Sequence, residues 1–217
     1  MTKSLLWLRQ DLRLSDHPAL SAAAAKGEVI PLYVLDDKTP GEWRWGGASR
    51  WWLHQSLASL QTSTPLVLRR GRADEVLREL LQESGASSVH FTRDYAPWSG
   101  ALEQRVKAVC DDLNVECHRH AGFLLHEPES IRNGLGEPYK VYTPYSRACF
   151  AKGEPRAPKP NTQVKWAKQE LRSDALSDWK LLPTKPNWAT TLETTWQPGE
   201  LGARAALSHF LDEAIQH

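Results

Sequence analysis

The residues best suited to chemistry stand near the start of the chain, where Arg9, Asp11 and Arg13 follow the apolar run 5–8 and precede Pro18. Four apolar residues are too few for a helix and suit a buried parallel strand. Pro18 and the alanine-rich stretch to Lys26 read as a helix, with Ser15 or Asp16 as N-cap and Gly27 as its stop. Two guanidiniums and a carboxylate thus occupy the carboxyl end of a strand, where open α/β sheets bind ligands. The alternative is structural, with Asp11 pairing an arginine and closing the loop. A second candidate is the stretch 46–53, Gly-Gly-Ala-Ser-Arg-Trp-Trp-Leu, which opens a helix. Free helix-start N–H groups beside Arg50 favour a phosphate, ribityl hydroxyls or a carboxylate. Equally, Ser49 caps the helix and Arg50 pairs with a surface carboxylate. His118 and His120 fall on one face of a strand end, near Cys117 and His126. A zinc site needs further ligands at defined spacing, so these histidines read as solvated and no metal is expected.

The elements that must hold these groups alternate. Strands are expected at 5–8, 29–35, 66–69, 89–92 and 115–118, and helices at 48–61, 74–83 and 102–113 after the first. Alternation at this spacing gives right-handed βαβ units, hence a doubly wound five-stranded parallel sheet of order 3-2-1-4-5 with helices on both faces. From Gly122 the pattern changes. Residues 153–160, Gly-Glu-Pro-Arg-Ala-Pro-Lys-Pro, form a linker, and the segment beyond has tryptophans but few aliphatics. Such a segment has no core of its own and should drape over the sheet. Residues 200–217 read as an amphipathic helix with Ala203, Leu207, Phe210, Leu211 and Ala214 on one stripe, whose partner the sequence does not supply.

A chain of 217 residues with net charge +1 has no global field to draw in nucleic acid or an anionic membrane. Three cysteines without paired spacing suit a reducing compartment, and neither a signal peptide nor a membrane-spanning run is evident. A cytoplasmic monomer is expected. The ten tryptophans read as packing. No Gly-x-Gly-x-x-Gly, no glycine-rich loop ending in Lys-Ser/Thr and no Gly-x-Ser-x-Gly occurs, which removes the main support for dehydrogenase, P-loop ATPase and α/β-hydrolase readings.

Four stretches resemble the DNA photolyase/cryptochrome family. Trp7, Arg9, Asp11, Leu12 and Arg13 match its opening Trp-x-Arg-x-Asp-Leu-Arg; the Ser49-Arg50 step resembles the start of its next helix. Residues 92–98, Thr-Arg-Asp-Tyr-Ala-Pro-Trp, are similar to its Asn-Arg-x-Tyr-Glu-Pro-Tyr/Trp loop, with Ala96 replacing the glutamate. Residues 139–147, Tyr-Lys-Val-Tyr-Thr-Pro-Tyr-Ser-Arg, resemble its Tyr-Lys-Val-Phe-Thr-Pro-Phe segment; on residue type alone Val141 and Tyr142 read as a packed aromatic loop. The resemblance is greatest to bacterial class I cyclobutane pyrimidine dimer photolyases. It implies a photolyase-type α/β domain at 1–125, an interdomain connection at 126–198, and at 199–217 the first helix of a helical domain that holds FAD and is absent from this chain. It implies an antenna cofactor held by Arg9, Val34, Leu35, Asp36, Arg50, Asp94 and Tyr95, and DNA contacts from Lys140 and Arg147. The family's folate-gripping Asn-Glu pair corresponds here to Trp98 and Ser99, so a deazaflavin or flavin is favoured over methenyltetrahydrofolate. In full-length form the implied activity is light-driven repair of damaged DNA by electron transfer from reduced FAD, the fragment itself being inactive. The alternatives are a cryptochrome-type blue-light sensor and a free-standing nucleotide- or flavin-binding module complete at His217.

Overall fold

The structure, a computed structural model, describes residues 2–159, 162–168 and 170–215. Five strands, β1 (Lys3–Leu8), β2 (Glu28–Leu35), β3 (Val67–Arg70), β4 (Ser88–Thr92) and β5 (Glu116–His120), form one parallel sheet in the order β3-β2-β1-β4-β5. This is the order the alternation predicts. Between the strands run α1 (Pro18–Lys26), α2 (Gly47–Gln61), α3 (Ala73–Ser84) and α4 (Ser99–Asp112). The central strands are buried on both faces, which is why β1 and β2 read as near-continuous apolar runs.

Alternation divides the core in two. Leu5, Ile30, Leu32, Val89 and Phe91 pack beneath Leu77, Leu80 and Val106 of α3 and α4. Leu6, Leu8, Tyr33 and Leu35 face Leu20, Leu53 and Leu57 of α1 and α2. Gly85 ends α3 in the left-handed conformation at φ 64°, as a glycine stop requires. The start of α1 departs from expectation. Its N-cap is His17, whose Nδ1 accepts from the Leu20 N–H at 3.2 Å, rather than Ser15 or Asp16.

After β5 the chain makes α5 (Tyr142–Ala151), α6 (Thr190–Thr195) and α7 (Glu200–His209), with a π-helical turn at Phe210–Ala214. Trp166 bridges to Val29, extending the sheet at the edge of β2 ahead of the point where β3 pairs. Trp179 and Leu181 bury against the α1–α2 face. The stretch expected to be a packed aromatic loop is instead the start of α5, with Val141 and Tyr142 exposed. Along the last stretch Leu207, Phe210 and Leu211 are exposed too; Gln216 and His217, the end of the expected helix, lie outside the described residues.

Candidate functional site

The ends of β1 and β2, the start of α3 and the residues leading into α4 enclose a narrow, partly open cleft. It lies at the carboxyl ends of the strands, where open α/β sheets take ligands. Its walls are aromatic: Trp7 from β1, Tyr33 from β2, Trp45 from the loop before α2 and Trp98 at the start of α4. Val34, Leu35 and Leu102 complete the apolar lining, and Gln10, Asp36, Asp37 and Thr39 supply polar edges. Burial, with the nearby Asp37 carboxylate, pushes the Tyr33 phenol well above its usual range, so it is a neutral donor at any physiological pH.

Arg9 lines this cleft, but its guanidinium is committed. It lies 4.7 Å over the Trp7 ring and bonds Glu103 at 2.7 Å, Asp94 at 3.2 Å and Ser99 Oγ at 3.2 Å, all on or beside α4. Its backbone N–H donates to Asp11 at 2.9 Å. Among the described residues Asp11 pairs with no guanidinium; it faces the His17 imidazole at 3.0 Å. Burial raises its carboxyl, but His17, Thr92 and the Arg9 amide outweigh it and bring the group down to about 2. The turn therefore locks strand to helix, with the charges of Arg9 and Asp11 spent internally and Arg13 donating to the carbonyls of Ser15, Asp16 and Gly122.

The other predicted residues divide. Val34, Leu35 and Asp36 are on the cleft wall; Arg50, Asp94 and Tyr95 do not line it, Arg50 and Asp94 reaching it only through Asp37 and Arg9. Asp36 accepts from the backbone N–H groups of Lys38, Thr39 and Ala73, so it closes one loop and the start of α3 together. Arg50 donates to the Trp45 carbonyl at 2.9 Å and pairs with Asp37, which also holds Arg70 at 3.0 Å. Asp94 binds Arg9 and Ser99. The Tyr95 hydroxyl donates to Glu127 under a ring stacked by Arg93 at 4.7 Å, and burial together with Glu127 raises it to about 12. Lys140 and Arg147 are exposed, without an ion-pair partner among the described residues. Lining residues that the sequence reading missed include Gln10, Tyr33 and Trp45. Tyr33 carried a signal, an aromatic near the carboxyl end of a strand; Trp45 sits in irregular chain and carried none.

A wider groove opens between the loop after β1, α2 and α7, lined by Arg13, Trp45, Trp52, Ser56 and Leu207 among others. Glu200 at the head of α7 accepts from the N–H groups of Leu14 at 2.6 Å and Ser15 at 3.1 Å, fixing α7 to that loop. On the opposite side of β4, His118 and His120 are half-buried rather than freely solvated. They stack on buried His90, at ring-centre distances of 4.6 and 5.3 Å.

Comparison with known proteins fits this geometry. The family model described as DNA photolyase matches residues 4–163. A deoxyribodipyrimidine photo-lyase of Agrobacterium fabrum is 42% identical over 219 residues, which cover 98% of this chain and 45% of that protein. Cryptochrome-1 of Arabidopsis thaliana is 34% identical over 155 residues, 68% of this chain and 23% of that one. A crystal structure of a bacterial class III photolyase from Agrobacterium tumefaciens superposes with a TM-score of 0.90 at 40% identity, covering 99% of this chain and 45% of that one. The chain thus spans less than half the length of these relatives.

Proposed function

The chain belongs to the DNA photolyase family, and from that premise we propose that it is the antenna-bearing part of a deoxyribodipyrimidine photo-lyase. The observation that carries this reading is the aromatic cleft beside Arg9. Four aromatic side chains around a slot at the strand ends suit a flat conjugated ring, which stacks on such walls. When bound, such a pigment supplies absorbed light energy to the reduced FAD of a helical domain, whose electron splits the dimer in DNA. In this chain Trp7, Tyr33, Trp45 and Trp98 would hold the ring and keep water from it. Arg9, immobilised by Glu103 and Asp94, would fix the Trp7 wall. Asp36 and the Arg50–Asp37–Arg70 cluster would shape the mouth.

A deazaflavin or flavin is favoured over a folate. Ser99, at a position where folate-binding members carry a polar anchor, is fully buried, and its hydroxyl is engaged by Arg9 and Asp94. The 40% identity to a class III enzyme favours that class over class I. The exposed apolar residues of α7 support a helical domain packed on that face, and exposed Lys140 and Arg147 support contact with the phosphates of damaged DNA. A cytoplasmic monomer remains our reading; no helix among the described residues is long and apolar enough to cross a membrane.

The test uses the full-length protein. It should purify with near-ultraviolet or blue absorbance beyond that of FAD, and Gln10→Trp, which plugs the cleft from an exposed position, should remove that band while leaving the FAD spectrum intact. An unaltered spectrum in Gln10→Trp overturns the cleft assignment. Light-dependent loss of cyclobutane dimers from DNA separates the photolyase from the second reading, a blue-light sensor, which the similarity to Cryptochrome-1 favours.

A further inference from the structure

The α3–α4 side of the sheet carries a pair of thiols that the antenna reading does not use. Cys110 is fully buried near the end of α4, and Cys117 is half-buried in β5. Alternation along β5 sends Cys117 and Arg119 toward α4, where Arg119 bonds Glu103 at 3.3 Å, and sends His118 and His120 the other way. The connection between helix and strand is tight, the Val115 N–H donating to the Cys110 carbonyl at 2.8 Å. It folds the two cysteines onto the same core cluster, Cys110 within it and Cys117 packed against it.

We propose that Cys110 and Cys117 form an oxidisable dithiol that hydrogen peroxide closes to a disulfide across the α4–β5 joint. The pair is asymmetric in the sense this chemistry needs. Cys110 is sealed in the core, whereas Cys117 keeps part of its surface open to solvent. The thiolate is the nucleophile and forms where solvent and peroxide reach the sulfur, so Cys117 reacts first. Its sulfur attacks one peroxide oxygen, the O–O bond breaks, and a sulfenic acid and hydroxide result. Cys110 then attacks the sulfenic sulfur, its proton leaving with the displaced oxygen as water. Two thiols and one peroxide become one disulfide and two waters; sulfur is oxidised and oxygen reduced. The bond fastens β5 to the helix that carries Glu103, the partner of Arg9. Cys149 provides the internal comparison. It lies in α5, outside the cluster that holds the other two, so it has no second sulfur to close onto.

Peptide mapping of the peroxide-treated protein tests this. Cleavage after Lys107 and Arg119 puts both cysteines in the peptide 108–119. That peptide should become two hydrogens lighter and resist alkylation, and a dithiol reductant should reverse both changes. Cys110→Ser should let Cys117 proceed to sulfinic acid, making the peptide two oxygens heavier, and Cys117→Ser should leave the buried Cys110 slow to oxidise. A wild-type peptide that stays fully alkylatable while Cys149 oxidises overturns the proposal, as does one that gains oxygen without losing hydrogen. The wild-type mass decides by itself should either variant fail to fold.

Discussion

Between the sheet and α3–α4 the centre of the core is aliphatic and aromatic, with ionic groups confined to the strand ends, where Arg9 meets Glu103 and Asp94. Between the sheet and α1 the β4 strand instead buries hydroxyls and an imidazole: Ser88 donates to Ser4 at 2.8 Å, and His90 lies 3.2 Å from Ser88 and 3.1 Å from His120. Alanines at positions 19 and 23 of α1 are fully buried, leaving room for the imidazoles below. One face therefore depends on burial that is insensitive to pH, and the other on keeping titratable rings neutral.

The largest effect should come from the ionic closure of the aliphatic face. Arg9→Ala leaves Asp94 without its guanidinium and buried Glu103 with only the exposed Arg119, and should cost about 3–5 kcal/mol in chemical denaturation. A loss below 1 kcal/mol, on the scale of a surface pair, would erase the distinction between this cluster and the rim. Leu77→Ala, a cavity in the same face at a fully buried site, should cost about 2–5 kcal/mol and should cost the same at pH 5 and pH 7.5. The α1 face should behave otherwise. Burial, and then its neighbours His118 and His120, holds His90 down to about 3, and burial and His118 lower His120. The unfolded chain takes up protons near pH 6.5 that the folded chain refuses, so stability is full above that pH and declines as pH falls toward 3, by about 1.4 kcal/mol per pH unit for His90, with His120 adding in the same direction. His90→Gln should flatten that slope, and equal slopes in both proteins would refute the role of the stack. The smallest effect belongs to the rim. Arg50→Ala, which removes a partly exposed partner of Asp37, should cost about 1 kcal/mol or less.

The sheet order was legible because each strand and helix announces itself locally, through apolar runs and stops such as Gly85. The histidine stack was not, since it exists only once β4 and β5 pair His90 with His118 and Thr92 with His120. The cap of α1 was missed because histidine serves there only with its other nitrogen turned to Asp11. Pro144 would break the interior of a helix, yet it lies in the first turn of α5, where its missing N–H has no intrahelical partner to lose. The sequence pointed to Arg9 as a cleft residue but could not reveal that its charge is spent, because Asp94 and Glu103 reach it only across the fold.

The short return of the chain at Trp166 has a consequence for the exposed margin of the sheet. Because β3 begins pairing only at Leu32, the early part of β2 would otherwise display bare ladder groups; the Lys165 carbonyl and the Ala167 N–H occupy those of Val29 at 2.9 and 3.0 Å. A product cleaved ahead of this segment would uncover an adhesive edge on which strands of neighbouring molecules can stack, so proteolysis there should first be seen as turbidity.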